Sequence, residues 1–245
     1  MNNLYIHDEA THNKKAASVI IPLLHEILDF DSVLDVGCGI GTWLSVFQEK
    51  EGLEILGLDG DYVNRDLLAK NIPLDSFKSI DLSLEFDLKK KFELAICLEV
   101  AEHLPITSSD LLVDSLCRHS DQVLFSAAIP NQGGQNHLNE QWPSFWIEKF
   151  KRNGFEVYDL IRPKIWDNPQ VEIWYRQNLL IFSKNKIQHA EVGALDLVLP
   201  EYWNQRNKEV FTLKNQLDRI KEGKVGAFFY LKSLIKSLRF FGKKV

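Results

Sequence analysis

The stretch "VLDVGCGIGTWL", residues 33–44, constrains the fold of this chain more than any other. An apolar, β-rich run leads directly into three glycines, Gly37, Gly39 and Gly41, and a helical pattern follows them. Glycine lets the backbone turn sharply and approach a ligand closely, and the first N–H groups of the next helix then face that ligand. The spacing G-x-G-x-G differs from the G-x-G-x-x-G of dinucleotide-binding enzymes, so a dehydrogenase is the lesser interpretation.

Short apolar runs alternate with helical patterns along most of the chain. The predicted strands are "SVLDVG", "LEILGLD", "FELAICL", "QVLFSAAI", "FEVYDLI" and "QNLLIFS", and the predicted helices include "KKAASVIIPLLHEIL" and "PSFWIEKFKRNG". This alternation predicts the α/β class with a largely parallel sheet. We expect one main domain over residues 1–190 and a helical extension over residues 191–245.

Composition and charge restrict the functions that are open to the chain. With 245 residues, 45% of them hydrophobic, it can form one sizeable core. The three cysteines, Cys38, Cys97 and Cys117, lack metal-ligand spacing and are odd in number, which favours a reducing, cytoplasmic setting. No run has the length of a signal sequence or membrane span, so we expect neither.

Charge is divided unevenly along the sequence. Residues 221–245 hold seven Lys or Arg against one acidic residue, a net charge of +6, which leaves −11 for the rest of the −5 chain. An acidic body repels nucleic-acid backbones, so we expect no DNA partner.

The chain resembles the class I S-adenosylmethionine-dependent methyltransferases over roughly residues 15–185. The resemblance rests on the glycine motif and on Asp59, which ends the second strand 24 residues after Asp35. It implies a Rossmann-like, seven-stranded, mostly parallel sheet flanked by helices, and S-adenosyl-L-methionine as cofactor. It also implies that Asp35 and the glycines face the methionine part, that Asp59 binds the ribose hydroxyls and that Asp81 approaches the adenine. The cofactor-binding candidates are Asp35, Gly37, Cys38, Gly39, Gly41, Asp59, Gly60, Asp81, Leu82 and Leu98.

The stretch "CLEVAEHL" places two carboxylates and an imidazole directly after the fourth predicted strand. Its E-x-x-E-H pattern, with His137 further on, resembles metal-dependent O-methyltransferases of small-RNA 3′-terminal ribose, and in part those of the ubiquinone pathway. The resemblance implies Mg²⁺ or Mn²⁺ bound by Glu99, Glu102, His103 and His137, with His103, His137 and Glu102 as catalytic candidates. Two alternatives stay open: these residues hold the loop without metal, or a histidine alone acts as the base.

Two further segments, "GGQNHLNEQWPSFW" and "RPKIWDNPQVEIWYRQNLLIF", resemble bacterial methyltransferases of surface-polysaccharide synthesis. The resemblance implies a sugar acceptor. Aromatic faces for a sugar could come from Trp142, Trp146, Trp166, Trp174 and Tyr175, although each alone is more typical of a core. Hydrogen bonds to it could come from Asn136, Asn139, Glu140, Gln141 and Arg162. Near the amino terminus, His7, His12 and Asn13 could close over the cofactor.

The extension has two amphipathic patterns. Val210, Leu213, Leu217 and Ile220 follow the three-four spacing of a short amphipathic or coiled-coil helix. The run "AFFYLKSLIKSLRFFGKKV" then puts an apolar stripe, Phe228, Leu231, Leu234, Ile235, Leu238 and Phe241, beside Lys232, Lys236 and Arg239. This pattern is typical of a membrane-surface helix, at the inner face of the cell membrane; packing on the body or on a second copy in a homo-oligomer is the alternative.

Together these patterns predict a cytoplasmic O-methyltransferase acting on a sugar hydroxyl of a glycan intermediate or nucleotide sugar, with or without a divalent metal. The alternatives are a small-RNA 3′-terminal ribose methyltransferase and a catalytically silent, cofactor-binding scaffold.

Overall fold

The computed structural model describes residues 13–241, and it describes side chains up to residue 238. Seven strands and nine α-helices form within this range. The strands are β1 Ser32–Val36, β2 Glu54–Asp59, β3 Phe77–Ser79, β4 Leu94–Leu98, β5 Gln122–Ser126, β6 Glu156–Tyr158 and β7 Leu180–Ser183. The helices are α1 Lys15–His25, α2 Thr42–Phe47, α3 Arg65–Leu68, α4 Ser109–His119, α5 Pro143–Arg152, α6 Arg162–Ile165, α7 Ile173–Asn178, α8 Pro200–Lys221 and α9 Ala227–Phe241.

The strands form one sheet in the order β3-β2-β1-β4-β5-β7-β6. All pairs from β3 to β5 are parallel, and β7 runs antiparallel to both β5 and β6. The predicted seven-stranded, mostly parallel sheet with flanking helices is therefore confirmed. Because parallel strands end at the same edge, the residues that follow β1, β2, β4 and β5 meet there. The reversed β7 begins at that edge, so α7 lies there as well.

Apolar side chains cover both faces of the sheet. Ile20 and Leu24 of α1 and Phe47 of α2 pack on one face, and Leu116 of α4 and Phe150 of α5 pack on the other. Strand residues alternate between the two faces, as the two-residue period of a strand requires. Burial on both faces explains why the strands read as continuous apolar runs in the sequence.

Helix α5 begins and ends where the sequence predicts. Pro143 occupies the first helical position, where its missing N–H costs no hydrogen bond, and Gly154 takes a φ of +80° just after the helix.

The chain divides into two compact units, residues 1–197 and residues 198–245. The first unit ends a few residues after the boundary that we predict at residue 190; that these units are a catalytic domain and a separate extension stays a prediction. Nothing is described for His7 and His12, which lie outside the described residues.

The second unit consists of α8 and α9. A turn at Gly223, with φ +70°, separates the helices, and the Tyr230 hydroxyl donates a 2.8 Å hydrogen bond to the Ile220 carbonyl. No side chain of α8 is buried, and the apolar stripe of α9 is exposed from Phe228, at 78%, to Leu238, at 64%; the side chains of Arg239 and Phe241 lie outside the described residues. Within residues 13–241, no helix combines the length and apolar character that a membrane crossing requires.

Candidate functional site

A cleft of about 1020 Å³ opens at the sheet edge where the parallel strands end. Nearly all of the predicted site residues line it: Asp35, Gly37, Cys38, Gly39, Asp59, Gly60, Asp81, Leu82, Leu98, Glu99, Glu102, His103 and His137. Gly41 does not line the cleft. It begins α2 with a φ of +78°, and a Cβ there would lie 3.1 Å from the Ile72 side chain, so its role is the turn itself.

The glycine loop, residues 37–41, is held between two strands. Gly37 has a φ of +90°, and a Cβ on it would lie 2.2 Å from Cγ2 of Val100, which follows β4. On the other side, the N–H groups of Gly37 and Cys38 donate to the Leu58 carbonyl of β2 at 2.7 and 3.1 Å. Any other residue at position 37 would be strained by the positive φ and would collide with the Val100 side chain, so glycine is required there. The bonds to the Leu58 carbonyl hold the loop in this conformation.

Asp59 is 3% exposed and is oriented by three hydrogen bonds. Its Oδ2 accepts from the Gly39 N–H at 2.8 Å, and its Oδ1 accepts from the Gly60 N–H at 2.6 Å and from the Tyr62 hydroxyl at 2.7 Å. A carboxylate offers about four lone-pair sites, so it can accept two ribose hydroxyls if the Tyr62 hydroxyl gives way. Tyr62 is 44% exposed, and no sequence signal points to it.

Asp35 and Asp81 occupy contrasting environments in the cleft. Asp35 is 4% exposed, and burial, with the nearby charge of Asp59, holds its pKa well above the usual range. A cationic ligand would favour its charged form. Asp81 is exposed, and its Oδ1 accepts from the N–H and hydroxyl of Ser83 at 2.9 and 2.6 Å. Its contact with adenine stays a prediction.

Glu99 connects three parts of the cleft wall. Its backbone has a φ of +54°, and its N–H donates to the Ser126 carbonyl of β5 at 3.0 Å. Its two carboxylate oxygens accept from the side-chain amides of Gln132 and Asn178, both at 3.1 Å. Each oxygen therefore already has a partner, and the structure gives Glu99 a positioning role.

Glu102 is completely buried, and neither of its carboxylate oxygens accepts a hydrogen bond from a described N–H or O–H donor, although the Glu99 carboxyl group lies within hydrogen-bond reach. Burial, with the charge of neighbouring Glu99, holds its pKa well above the usual range. An unpartnered buried carboxylate is unusual in a native protein and points to a proton or a cation that completes the site. Its backbone carbonyl accepts from Leu138 and Asn139 N–H at 2.7 and 3.0 Å, which ties the loop of residues 130–140, the His137 loop, to this position.

Glu102, His103 and His137 form one cluster whose possible ligand atoms lie within 4.8 Å of one another. The two imidazole rings are 4.9 Å apart and nearly perpendicular, at 81°. One carboxylate and two imidazoles with open positions suit a catalytic divalent ion, so the residues fit the predicted metal. Glu99 is not part of this cluster, and a fourth protein ligand there stays a prediction.

Glu140 orients His137. Its carboxylate accepts from the N–H groups of Asn131 and Gly133 at 2.6 and 2.7 Å and lies 2.9 Å from Nδ1 of His137. Burial raises the pKa of Glu140, but the bonds from His137 and these N–H groups outweigh it, and the net shift is downward. An ionised Glu140 favours a proton on Nδ1, which leaves the Nε2 lone pair available. The His137 ring packs against Gly134, where a Cβ would lie 2.1 Å from Nε2.

Three residues expected to contact a sugar are structural. Trp146 is 2% exposed and packs on Phe125, with ring centroids 5.2 Å apart. Asn139 is buried and donates to Ser109 Oγ at 3.0 Å. Arg162 is 1% exposed and pairs with Asp159 through its Nε at 2.9 Å. In each case contacts with other parts of the chain enclose the side chain: β5 for Trp146, α4 for Asn139, and Asp159 with the Gln177 carbonyl for Arg162.

Trp174 and Tyr175 do line the cleft, as does Asn13. Trp142, Trp166, Asn136 and Gln141 do not. Sequence reasoning missed Tyr62, Gln132, Asn178 and Glu172. Tyr62, Gln132 and Glu172 line the cleft, and Asn178 donates to Glu99 and Gln132 beside it. None of the four is singled out by a motif, although Glu172 and Asn178 lie within the second segment that resembles polysaccharide methyltransferases.

Comparison with known proteins agrees with this geometry. The model of one family, described as "Methyltransferase domain", matches residues 7–173. A curated N-methyltransferase 4 from Papaver somniferum is 23% identical over 133 residues, which cover 51% of this chain and 37% of that protein. The match thus spans little more than a third of that relative.

Solved structures share the fold at low identity. Streptomyces venezuelae DesVI has a TM-score of 0.54 at 17% identity, over 74% of this chain and all of that one. CalS10, an amino pentose methyltransferase from Micromonospora echinaspora, has a TM-score of 0.53 at 16% identity, over 76% of this chain and all of that one. The methyltransferase domain of bacterial CtHen1-C has a TM-score of 0.52 at 16% identity, over 71% of this chain and all of that one.

The geometry of Asp59 predicts its contribution to cofactor affinity. Asp59→Asn should weaken S-adenosylmethionine binding by roughly 1.5–3 kcal/mol, because charge-assisted bonds to the ribose are lost. Isothermal titration calorimetry measures the change. Asp75→Asn, an exposed position outside the cleft, is the matched control and should bind as the wild type does. If both variants bound S-adenosylmethionine with equal affinity, Asp59 would not be a ligand of the ribose.

The unpartnered Glu102 predicts a pH-dependent stability difference. Because the pKa of Glu102 is raised in the folded state, the folded protein keeps a proton that the unfolded chain releases above about pH 4.5. The stability of the wild type therefore falls as pH rises from about 4.5 towards the pKa of Glu102 in the folded state. Glu102→Gln removes this penalty, and its amide can donate to Glu99. In the absence of metal, Glu102→Gln should therefore have a free energy of unfolding roughly 1–3 kcal/mol higher than that of the wild type at neutral pH. This difference should disappear as pH falls towards 4.5. Urea denaturation across the pH range tests this, and a gap independent of pH would contradict it.

Proposed function

This chain belongs to the methyltransferase-domain family and is an S-adenosylmethionine-dependent methyltransferase, and we propose that it methylates a hydroxyl of a sugar, in a glycan intermediate or nucleotide sugar. The observation that carries the proposal is the cluster of Glu102, His103 and His137 in the same cleft as Asp35 and Asp59. A hydroxyl holds its proton far above neutral pH, so transfer to it needs a base or a Lewis acid beside the cofactor.

His137 has the arrangement of a general base. With Nδ1 held by Glu140, its Nε2 can accept the acceptor's proton as the oxygen attacks the sulfonium methyl carbon. The oxygen–carbon bond forms while the carbon–sulfur bond breaks, the sulfur leaves as a neutral thioether, and the proton passes from Nε2 to solvent. Glu140 stabilises the imidazolium that forms. In the alternative mode, a divalent ion held by Glu102, His103 and His137 would supply Lewis acidity that lowers the pKa of the acceptor hydroxyl, and His137 would then be a ligand and not the base.

A sugar acceptor is supported by the other wall of the cleft. Trp174 and Tyr175 provide aromatic surface, against which the apolar face of a sugar ring can pack, and Gln132 and Gln135 add polar groups to the lining of the same cleft. The description of CalS10 as an amino pentose methyltransferase agrees with a sugar substrate. The small-RNA alternative has less support because seven acidic residues line the cleft, and they disfavour the many phosphates of an RNA chain more than an uncharged glycan or the single diphosphate of a nucleotide sugar.

Turnover with a panel of acceptors tests the proposal. We expect transfer of a labelled methyl group from S-adenosylmethionine to sugars or their nucleotide conjugates, at a rate at least tenfold above that with short RNAs, with mass spectrometry placing the label on an oxygen. Exclusive labelling of RNA 3′ ends would favour the alternative. Cofactor binding with no transfer to any member of the panel would favour a silent scaffold.

The role of His137 predicts a loss of turnover without a loss of cofactor affinity. His137→Gln should slow transfer by about 100-fold or more, the scale of general acid–base catalysis, and Glu140→Gln should slow it less because Glu140 acts through His137. Gly134→Ala should also slow transfer, because its Cβ would collide with the His137 ring. The control, His25→Gln in α1, should be active. Full activity of His137→Gln would show that His137 is not a catalytic residue.

Chelation distinguishes catalysis with a divalent ion from catalysis by His137 as the base alone. If the cluster works with a divalent ion, exhaustive chelation should abolish transfer, added Mg²⁺ or Mn²⁺ should restore it, and S-adenosylmethionine affinity should stay nearly unchanged. Full activity in chelator would leave His137 as the base alone.

We propose that α9 makes a peripheral contact with an anionic membrane, within a cytoplasmic protein. Phe228, Leu231, Ile235 and Leu238 lie three and four residues apart on one exposed stripe, and Lys232 and Lys236 add positive charge beside it. Buried apolar area and attraction to anionic lipid both favour such binding. A second copy of this chain is the alternative partner for the stripes of α8 and α9.

The intact protein should therefore sediment with anionic vesicles, less so as salt rises, and deletion of residues 224–245 should abolish sedimentation. Leu231→Glu should weaken it, and Leu213→Glu in α8 is the matched control. Loss of a dimer on truncation, with no vesicle binding by the intact chain, would identify the second copy as the partner instead.

A further inference from the structure

Tyr62 lines the cleft three residues after Asp59, and no step of the reaction described above uses it. Its hydroxyl donates a 2.7 Å hydrogen bond to Oδ1 of Asp59. Its ring packs over Gly60, where a Cβ would lie 2.2 Å from Cε1 of the ring. Because Gly60 has no side chain, Tyr62 can fold back over the end of β2 and reach the carboxylate of Asp59.

The hydrogen bonds on Asp59 leave little of its capacity open. Each oxygen of a carboxylate has about two lone-pair positions. Among the described residues, Oδ1 accepts from the Gly60 N–H at 2.6 Å and from the Tyr62 hydroxyl, and Oδ2 accepts from the Gly39 N–H at 2.8 Å. Both positions of Oδ1 are therefore taken, and one position of Oδ2 is open. In this arrangement Asp59 can accept one further hydroxyl, but not two.

A ribose that binds Asp59 through both of its adjacent hydroxyls needs one open position on each carboxylate oxygen. Two of the three donors now on Asp59 are backbone N–H groups, and that of Gly39 belongs to the glycine loop, which is held by bonds to the Leu58 carbonyl. The third donor is on the Tyr62 side chain, which is 44% exposed and can turn by rotation about its own bonds. Tyr62 is therefore the donor that can yield to the ribose.

We propose that the Tyr62 hydroxyl holds the position of a ribose hydroxyl on Asp59, and that the cofactor displaces it. The exchange replaces one charge-assisted hydrogen bond with another, so the ribose gains less free energy than it would on an oxygen with an open lone pair. S-adenosylmethionine and its product, S-adenosylhomocysteine, carry the same ribose, so Tyr62 weakens the binding of both and favours release of the product. Tyr62 is thus a positioning residue that acts through Asp59. The proposal rests on the assignment of the ribose to Asp59 and is independent of the acceptor.

Calorimetry on the full chain tests the exchange with two ligands. One is S-adenosylhomocysteine, and the other is its 2′,3′-dideoxy analogue, in which hydrogen replaces both ribose hydroxyls. The proteins are the wild type, Tyr62→Phe and the matched control Tyr202→Phe, which lies in α8 and outside the cleft lining. Phenylalanine keeps the aromatic ring over Gly60 and removes only the hydroxyl. Because binding alone is measured, a failure of sugar methylation does not affect the result.

The wild type and the control should prefer S-adenosylhomocysteine over the dideoxy analogue by about threefold or more, a result that tests the ribose contact by itself. Tyr62→Phe should bind S-adenosylhomocysteine about three- to tenfold more tightly than the wild type does, the scale of one hydrogen bond, and should not bind the analogue more tightly. A wild type without the preference would overturn the ribose assignment and the proposal with it. If the preference is present but Tyr62→Phe gains no affinity, or gains equally for both ligands, the exchange alone is overturned.

A crystal structure of the wild type with S-adenosylhomocysteine gives a second measurement of the exchange. Both ribose hydroxyls should donate to the Asp59 carboxylate, and the Tyr62 hydroxyl should lie beyond hydrogen-bond distance of Oδ1. A Tyr62 hydroxyl that still donates to Oδ1, beside a ribose bound through both hydroxyls, would overturn the proposal.

Discussion

The glycine loop is the constraint on which the rest of the site depends. Gly37 fits between Val100, which follows β4, and the Leu58 carbonyl of β2, so one turn holds together three adjacent strand ends. The same turn supplies the Gly39 N–H that orients Asp59. Because the backbone at the loop is fixed by both neighbours, the cofactor meets a preorganised surface and little binding free energy goes into ordering it.

The opposite wall of the cleft is organised by carboxylates with different tasks. Both carboxylate oxygens of Glu99 accept hydrogen bonds from the amides of Gln132 and Asn178. The carboxylate of Glu140 accepts from N–H groups of the His137 loop and contacts the His137 ring. Of the three, Glu102 alone accepts no hydrogen bond from an N–H or O–H donor within residues 13–241. Glu99 and Glu140 thus hold the wall of the cleft in place, and Glu102 is available to bind a proton or a cation in the cleft.

The sequence was sufficient for the fold and for the residues next to strand ends. Burial on both faces makes parallel strands visible as apolar runs, and Asp35 and Asp59 sit where those runs stop, so their meeting follows from strand order. The sequence was insufficient for partners brought together by loops. The sequence predicts Arg162 as a ligand for a sugar, but its side chain is buried against Asp159. Tyr62 carries no motif, nothing in the segment around Glu172 singles that residue out, and both reach the cleft through tertiary packing. The E-x-x-E-H pattern suggests three ligands, with His137 as a fourth, yet Glu99 has a φ of +54° and its carboxylate accepts from the amides of Gln132 and Asn178.

The position of β7 has a consequence for how the chain can be assembled during synthesis. It is the last strand in sequence, yet it lies inside the sheet, between β5 and β6. Strand β6 pairs only with β7 in the described sheet, and so it has no place to dock until Leu180–Ser183 has left the ribosome. Until then the edge of β5 is open, and the nascent chain presents unpaired backbone groups to its neighbours. Pairing of β7 is therefore the last step in forming the sheet, and completion of the sheet depends on translation passing residue 183, near the end of the first unit.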